Sequence, residues 1–411
     1  MPHWLVGIKD EQAIRRMISI RQLGLKAYMD FPGAIHTRYS HALGTMHLAG
    51  KMTELLSSKV NSKQGIVKNL KSNKDNIMAA GFFHDIGHAP FSHAADYVMK
   101  TITGKSHEDM CGDILKQIIP SEIEKCGINK DTVINMVNPK DDKYQFLSQI
   151  INSPLDCDKL DYLLRDAYHV GLKYSFDLDL FLRSYTIIGN ETSINECILG
   201  LDSTQQAVIT TELFVVIWKS MYDLVYLIQD SRIAEKMLEK AFLLYRDYEE
   251  IKCLFELQTF IKGNDESMLV TLRGIGTDTQ KFLAMDNPKR LYQVALEKEL
   301  REKDYKMNAS FMAKLHNDVD ALSDELSIKL AETLEKEKYD FICDIIKSKT
   351  PNKINLDSSK KGEEELRMRS DIVRIIKPKI VMKVYANAEV LHSFEKKKIQ
   401  EAIKHLVEDY T

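Results

Sequence analysis

The chain has 411 residues, 44% hydrophobic and 28% charged, and 57 Lys+Arg against 60 Asp+Glu leave a formal net charge of −3. That length allows two to three domains, or one large helical domain with an appendage, and supplies a buried core with ease. No run approaches the ~20 apolar residues of a membrane span, the start has too short an apolar run for a signal peptide, and the charge balance gives no global field to gather nucleic acid. The expectation is a cytoplasmic protein without a membrane partner, in which any nucleic acid would need a local patch.

In chain order, Glu11–Met29 and Ser40–Leu56 carry apolar residues at three- and four-residue spacing, which predicts helices. The apolar run Ile77–Phe83 ends in His84-Asp85 and predicts a buried helix that turns both polar heads into one cavity. Tyr185–Ile188 and Cys197–Leu201 flank Gly-Asn-Glu-Thr-Ser and predict a hairpin. Thr204–Tyr248 predicts one or two long helices. A boundary falls near Lys262-Gly263-Asn264-Asp265. Beyond it come helical patterns at Asp278–Glu302 and Ala309–Lys347, a polar stretch at Ser348–Glu365, candidate strands at Ile372–Ile376 and Lys379–Tyr385, and a closing helix at Ala388–Glu408. The fold class is mainly α, with a small β-hairpin and a C-terminal helical or α+β appendage. Residues 1–262 form the expected catalytic domain and 263–411 a candidate oligomerisation module.

Histidine is unevenly spread: nine of twelve fall within the first 169 residues, so chemistry is expected there. The six cysteines lie far apart with no C-x-x-C pair, which argues against a thiolate zinc site or a disulfide framework and suits a reducing compartment. Three segments concentrate donors: His36-Thr37-Arg38-Tyr39-Ser40-His41, His84-Asp85-Ile86-Gly87-His88-Ala89-Pro90-Phe91-Ser92-His93, and Asp156 through Asp166. An isolated His-Asp pair is more often a core histidine and a helix cap. Five histidines and five aspartates in three tight clusters are costly to bury without a metal or an extensive hydrogen-bond network.

His41, the His84-Asp85 pair and Asp158 match the H…HD…D pattern of the HD-domain metal-dependent phosphohydrolases. Arg21-Gln22-Leu23-Gly24, Phe31-Pro32-Gly33-Ala34, His36-x-Arg38-x-x-His41-x-Leu43-Gly44, His107-Glu108 and Asp158-Lys159-x-Asp161-Tyr162-x-x-Arg165-Asp166 resemble the deoxynucleoside triphosphate triphosphohydrolase branch of that family, over roughly residues 11–250. The resemblance implies an HD-domain helical core and hydrolysis of dNTPs to deoxynucleoside and triphosphate. It implies His41, His84, Asp85 and Asp158 as ligands of a divalent transition metal, for which imidazole and carboxylate suit Mn, Fe, Ni, Co or Zn, with Mg as an additional candidate. His93, His107 and Asp96 would form the acid/base group. His88 would lie beside the phosphates or orient its neighbours. Arg38 and Lys159 would hold phosphate oxygens, Gln22 and Asp166 the sugar 3′-hydroxyl, and Leu23 with Tyr162 would crowd the 2′ position. A nucleotide partner, dNTP foremost, and a homo-oligomer are implied as well.

The match thins in Trp218–Gln229, where the branch offers Arg and His and then a Tyr-x-His pair. Tyr226 matches as a substrate-binding residue, but Ile228 stands in place of a histidine and Trp218 roughly in place of an arginine; Lys219 either supplies the charge one position away or is a surface lysine. Base choice is therefore expected to depart from the family's. About ten residues precede Glu11, so an allosteric nucleotide site built on a longer N-terminal segment is not expected. Two other functions compete: an HD-type nuclease or phosphodiesterase on single-stranded nucleic acid or a signalling nucleotide, and a non-catalytic nucleotide sensor, which the intact ligand and acid/base sets disfavour. Lysines 63, 68, 71 and 74 and the run Lys396–Lys398 read as solvated surface.

Overall fold

The computed structural model describes the chain apart from residues 61–62, 141–144, 190–194, 276–290, 301–308, 348–353, 359–361, 377–378, 394–395, 409 and 411. Its centre is the helix Arg38–Lys59, opened by a capping box in which the Thr37 N–H donates to Ser40 Oγ (3.1 Å). The helix Lys74–Phe83, buried at Ile77, Ala79, Ala80, Gly81, Phe82 and Phe83, packs along it. The helix Cys157–Val170 packs on another side, started by the Asp156 side chain and stopped at Gly171, which takes φ +81°.

Glu11–Met29 is not one helix. It breaks into Gln12–Arg15, a 3-10 turn at Arg16–Ser19 and Lys26–Met29. Between the pieces the backbone pairs across the chain instead of along it: Gln22 N–H donates to the His36 carbonyl (3.1 Å) and Arg38 N–H to that of Ile20 (3.0 Å). The pairing sets Gln22 and Leu23 beside the start of the central helix. Thr204–Tyr248 resolves into Gln205–Met221, a π-helical turn at Tyr222–Tyr226, and Gln229–Leu244.

Seven strands occur among the described residues: β1 (Tyr185–Ile188), β2 (Ile198–Asp202), β3 (Tyr292–Glu299), β4 (Phe341–Lys347), β5 (Asn355–Ser358), β6 (Gly362–Glu365) and β7 (Ile380–Asn387). β1 and β2 form the expected antiparallel hairpin, Tyr185 opposite Leu201. The stretch expected to be merely polar adds two strands to it, giving the order β1-β2-β5-β6. Pairing with β2 is a backbone matter and needs one apolar anchor, Leu356, which is fully buried. A second sheet has the order β3-β7-β4.

Three further expectations are corrected. Within Asp278–Glu302, residues 278–290 and 301–302 lie outside the described residues, and Tyr292–Glu299 is strand, not helix, paired antiparallel with β7. The end of Ala309–Lys347 is β4, whose buried run Phe341–Ile346 is too short for periodicity to separate helix from strand. Ile372–Ile376 is the end of a short helix, Asp371–Ile375, because Ser370 caps it by accepting from Val373 N–H (3.0 Å).

The main core runs from Trp4 to Tyr385 and includes Tyr292, Tyr339, Leu356 and Val373 from beyond residue 262. A second core lies between the β3-β7-β4 sheet and the helices Ala309–Asn317, Val319–Thr333 and Lys396–Glu408.

Candidate metal centre

Three helix ends meet at one point. His41 stands in the first turn of the central helix, His84 and Asp85 follow the last residue of Lys74–Phe83, and Asp158 lies in the first turn of Cys157–Val170. His41 Nε2 is 3.3 Å from His84 Nε2, 3.0 Å from Asp158 Oδ1 and 3.5 Å from Asp85 Oδ2. His84 Nε2 is 3.2 Å from Asp85 Oδ1 and 3.4 Å from Asp158 Oδ1. Donors bound at about 2.1 Å lie roughly 3.0 Å apart at right angles and roughly 3.4 Å apart at the tetrahedral angle, so the spacing fits a shared cation.

The tautomers make the same case. Asp161 Oδ2 accepts from His41 Nδ1 (2.8 Å) and the Gly81 carbonyl from His84 Nδ1 (3.0 Å). In the neutral rings both Nε2 lone pairs then face two carboxylates, so four acceptors converge and only a proton or a metal can satisfy them. Burial pulls the His41 pKa down, but Asp158, Asp161 and Asp85 outweigh it and hold the group at about 10. Burial would raise the Asp85 carboxyl, yet Arg38, His84 and His88 keep it well below the usual range. A field that holds protons this firmly also attracts a divalent cation.

Several residues that position this cluster were not singled out for that role by the sequence pattern. Asp161 orients His41 and is itself held by Arg165 (2.7 and 2.8 Å). A Cβ on Gly44 would collide with the Asp161 carboxylate, so the glycine makes room for this pair. Arg16 is buried and clamps the turn after Asp85, donating to the carbonyls of Ile86 (2.9 Å) and His88 (2.7 Å). Asp265 accepts from the N–H groups of Phe91 (3.0 Å) and Arg21 (3.1 Å). It thereby holds Phe91-Ser92, which take φ +58° and +44° next to His93. Arg16 and Asp265 carry no motif; only their burial marks them.

The remaining candidates gather around the same centre. His88 Nε2 is 3.3 Å from Asp85 Oδ1 and its Nδ1 3.1 Å from Asp96 Oδ1, while His107 stacks on the ring at 3.9 Å. Burial and the neighbouring His88 push the His107 pKa down. His93 opens the helix His93–Thr103, but its side chain lies outside the described residues. Arg38 donates to Asp85 (2.5 Å) and to Ser92 Oγ (3.1 Å). Lys159 Nζ donates to Asp156 (2.7 Å), and Asp156 also caps the helix by accepting from Lys159 N–H (2.8 Å).

Towards the other side, Asp166 accepts from His36 Nε2 (2.6 Å) and from the Tyr226 hydroxyl (2.7 Å). Leu23 is buried, and Gln22 Oε1 is buried without a hydrogen-bond partner among the described residues. Tyr162 lies 6.0 Å from the Tyr226 ring, which is 5.1 Å from Tyr222, itself 6.4 Å from Trp218. An aromatic row thus extends from the donor cluster along the Gln205–Met221 helix. Ile228 caps the next helix, and Lys219 pairs with Asp223 on the surface.

This arrangement, helices presenting His, His-Asp and Asp to a common point, defines a class. Residues 38–166 match the HD domain family model, and the relatives the chain is similar to include deoxynucleoside triphosphate triphosphohydrolases. It is similar to an uncharacterized protein of Methanocaldococcus jannaschii, 32% identical over 57% of this chain and 45% of that protein. It is also 27% identical to the deoxynucleoside triphosphate triphosphohydrolase SAMHD1 of Homo sapiens, over 60% of this chain and 43% of the human protein. The chain spans about half the length of the curated relatives it matches. A crystal structure of a hypothetical protein from Aquifex aeolicus shares the fold, with a TM-score of 0.72 at 23% identity over 98% of this chain and 96% of that one. No helix among the described residues is long and apolar enough to cross a membrane.

Proposed function

We propose that this chain hydrolyses deoxynucleoside triphosphates to deoxynucleoside and inorganic triphosphate, at a metal centre formed by His41, His84, Asp85 and Asp158. The observation that carries the reading is the convergence of two imidazole Nε2 atoms and two carboxylates on one point, a cluster that only protons or a cation can hold together. Two imidazoles and two carboxylates suit Mn, Fe, Co, Ni or Zn. When bound, such an ion supplies Lewis acidity towards water and a phosphoryl oxygen.

The protein's own residues do the rest. Asp161 and the Gly81 carbonyl fix which nitrogen of each histidine faces the centre. Asp85 and Ser92 take two of the five guanidinium N–H groups of Arg38; the guanidinium and the Lys159 ammonium are assigned to the phosphates, to stabilise charge that develops during phosphoryl transfer. His93 or His107 is assigned the proton for the departing 5′-oxygen, with His88 and Asp96 holding the group in place. Gln22, whose Oε1 has no partner among the described residues, and Asp166 are suited to the 3′-hydroxyl. Leu23 and Tyr162 would leave a 2′-hydroxyl against an apolar wall, at a cost of about 1–3 kcal/mol for a buried unpaired group.

The test is elemental analysis of purified protein followed by a screen of dNTPs, NTPs and oligonucleotides with separated products. The expected result is a bound transition metal and release of triphosphate from dNTPs at least about tenfold faster than from matching NTPs. Cleavage of oligonucleotides alone, or hydrolysis indifferent to the sugar, would replace the dNTPase reading with the broader phosphohydrolase.

A further inference from the structure

Among the aspartates of the helix Cys157–Val170 and its cap, one is held differently from the rest. Asp156 meets the Lys159 ammonium, Asp161 the Arg165 guanidinium, and Asp158 the two histidines of the donor cluster. Asp166 pairs with no lysine or arginine among the described residues. Its side chain is 2% exposed, and its partners are His36 Nε2 at Oδ1 (2.6 Å) and the Tyr226 hydroxyl at Oδ2 (2.7 Å). A carboxylate has about four lone-pair sites, so two stay open on a buried acid with no fixed cation opposite it. Such a group is costly to keep unless something further donates to it.

His36 is equally enclosed and takes no part in the chemistry proposed for the donor cluster. Its side chain is 1% exposed, and the half-buried His169 ring stacks on it at 4.1 Å and 10°. Burial, then His36 and Arg165, push the His169 pKa down, so this covering ring is uncharged near neutral pH and stacks without repulsion. The backbone fixes His36 from the other side. Arg21 and Thr37 form an isolated antiparallel bridge, and Gln22 N–H donates to the His36 carbonyl (3.1 Å). Gln22 and His36 therefore lie opposite each other with their side chains on one face of the pairing. Each carries a buried atom without a partner among the described residues, Gln22 Oε1 and His36 Nδ1. The neutral imidazole places its one N–H on the nitrogen that faces the carboxylate and leaves Nδ1 a lone pair. Two unmet acceptors beside a carboxylate mark a place for a hydrogen-bond donor, which a hydroxyl is and a phosphate is not.

We propose that His36 is a positioning residue for the sugar: its Nε2–H aims the Asp166 carboxylate so that an open lone pair accepts from the 3′-hydroxyl of the nucleotide. This rests on the dNTPase reading and deepens it. His36 touches no reacting atom; it acts on Asp166 as Asp161 acts on His41, and the stacked His169 keeps its ring from turning. The 3′-hydroxyl takes no part in the reaction, so its contact contributes equally before and during bond breaking. Losing the aim of Asp166 should then raise KM and leave kcat nearly as it was.

Steady-state kinetics of the whole chain on each dNTP and its 2′,3′-dideoxy counterpart test it. Wild type should favour the 3′-hydroxyl by at least about tenfold in kcat/KM, the worth of a charge-assisted hydrogen bond. His36→Phe keeps a ring for His169 to stack on and removes the N–H. It should bring that ratio close to one by raising KM for the dNTP about tenfold, while the dideoxy substrate moves by less than about twofold. His36→Gln, whose amide nitrogen can stand in for Nε2, should restore most of the ratio. His169→Ala, at a half-buried position where the fold is not at stake, should lower it by about threefold, so a His36→Phe chain that fails to fold still leaves a measurement. Equal losses on both substrates, or a ratio that neither variant moves, would overturn the proposal. Wild type that hydrolyses dNTPs without regard to the 3′-hydroxyl would overturn it as well and leave the dNTPase reading standing, whereas wild type that hydrolyses no dNTP would end both.

Discussion

The donor cluster and the helix Gln229–Leu244 both bury many charges, but they balance them differently. On that helix Lys26 pairs with Glu235, Arg232 with Asp344 (2.5 Å), Lys236 with Glu239 (2.7 Å) and Asp320 (3.2 Å), and Lys240 with Glu239 and Asp324 (both 2.8 Å). Its partners lie on the helix Val319–Thr333 and on β4, so the ladder ties the C-terminal sheet to the main core. Every one of these carboxylates meets an ammonium or guanidinium, cations that keep their protons at any ordinary pH. At the donor cluster the nearest partners of Asp158 are imidazoles, whose protons exchange for a metal ion. Burial of charge is therefore no sign of a site by itself. What distinguishes a site is that the acceptors converge while the groups opposing them can leave.

That contrast is easiest to break at Asp85. Asp85→Asn removes a ligand charge with almost no change in volume, and we expect metal content by elemental analysis to collapse and hydrolysis to fall by three orders of magnitude or more, with thermal unfolding little changed. Undiminished turnover would mean that the centre needs no second carboxylate. Asp344→Ala should do the reverse. It strips the partly buried Arg232 guanidinium of its main partner and leaves it the 3.3 Å contact with Glu235, which should cost about 3 kcal/mol in denaturant unfolding, while metal content per folded chain is retained. Between the two lies Asp161→Asn, which loosens His41 without removing a ligand. Outer partners of this kind are worth about 10–100-fold in metal affinity, so competition with a chelator should show a loss of that size, and an unchanged affinity would remove Asp161 from the centre.

The two regions also differ in what the sequence discloses. The candidate ligands are legible because metal chemistry needs particular residue types at particular places: His41, His84-Asp85 and Asp158 stand out in the sequence. The ladder is not, because Arg232, Glu235, Lys236, Glu239 and Lys240 at three- and four-residue spacing describe a solvated helix face as well as a buried one, and only the tertiary partners Asp324 and Asp344 decide. The same limit hides Arg16 and Asp265, which act on backbone groups far away in the chain. The C-terminal half misleads for a different reason. β4 is a short apolar run, and β5 is held by backbone pairing with a strand 155 residues earlier, Leu356 opposite Leu201, so neither carries a periodic signal that distinguishes strand from helix or loop. The central helices and the β1–β2 hairpin were legible because their patterns are local.

The smallest effect expected is in acid, and it tests whether the ladder acts through charge. Burial alone would raise the Asp344 carboxyl, but Arg232 and Lys236 outweigh it and hold its pKa below the ordinary value. A carboxyl depressed in the folded state binds its proton more weakly there than in the unfolded chain. Its contribution to stability is then fully present above the unfolded pKa of about 3.9 and is lost as pH falls through the lower folded value. Asp344→Asn keeps the shape and deletes the charge, so the stability gap between wild type and this variant should be widest near pH 7. The gap should narrow below about pH 4, because protonated Asp344 and the amide leave Arg232 in nearly the same state. Denaturant unfolding of both proteins at several pH values between 7 and 3 measures this directly. A gap that stays constant over that range would mean that Asp344 stabilises by shape and hydrogen bonding, and that the ladder's ion pairs bind the two cores through packing more than through charge.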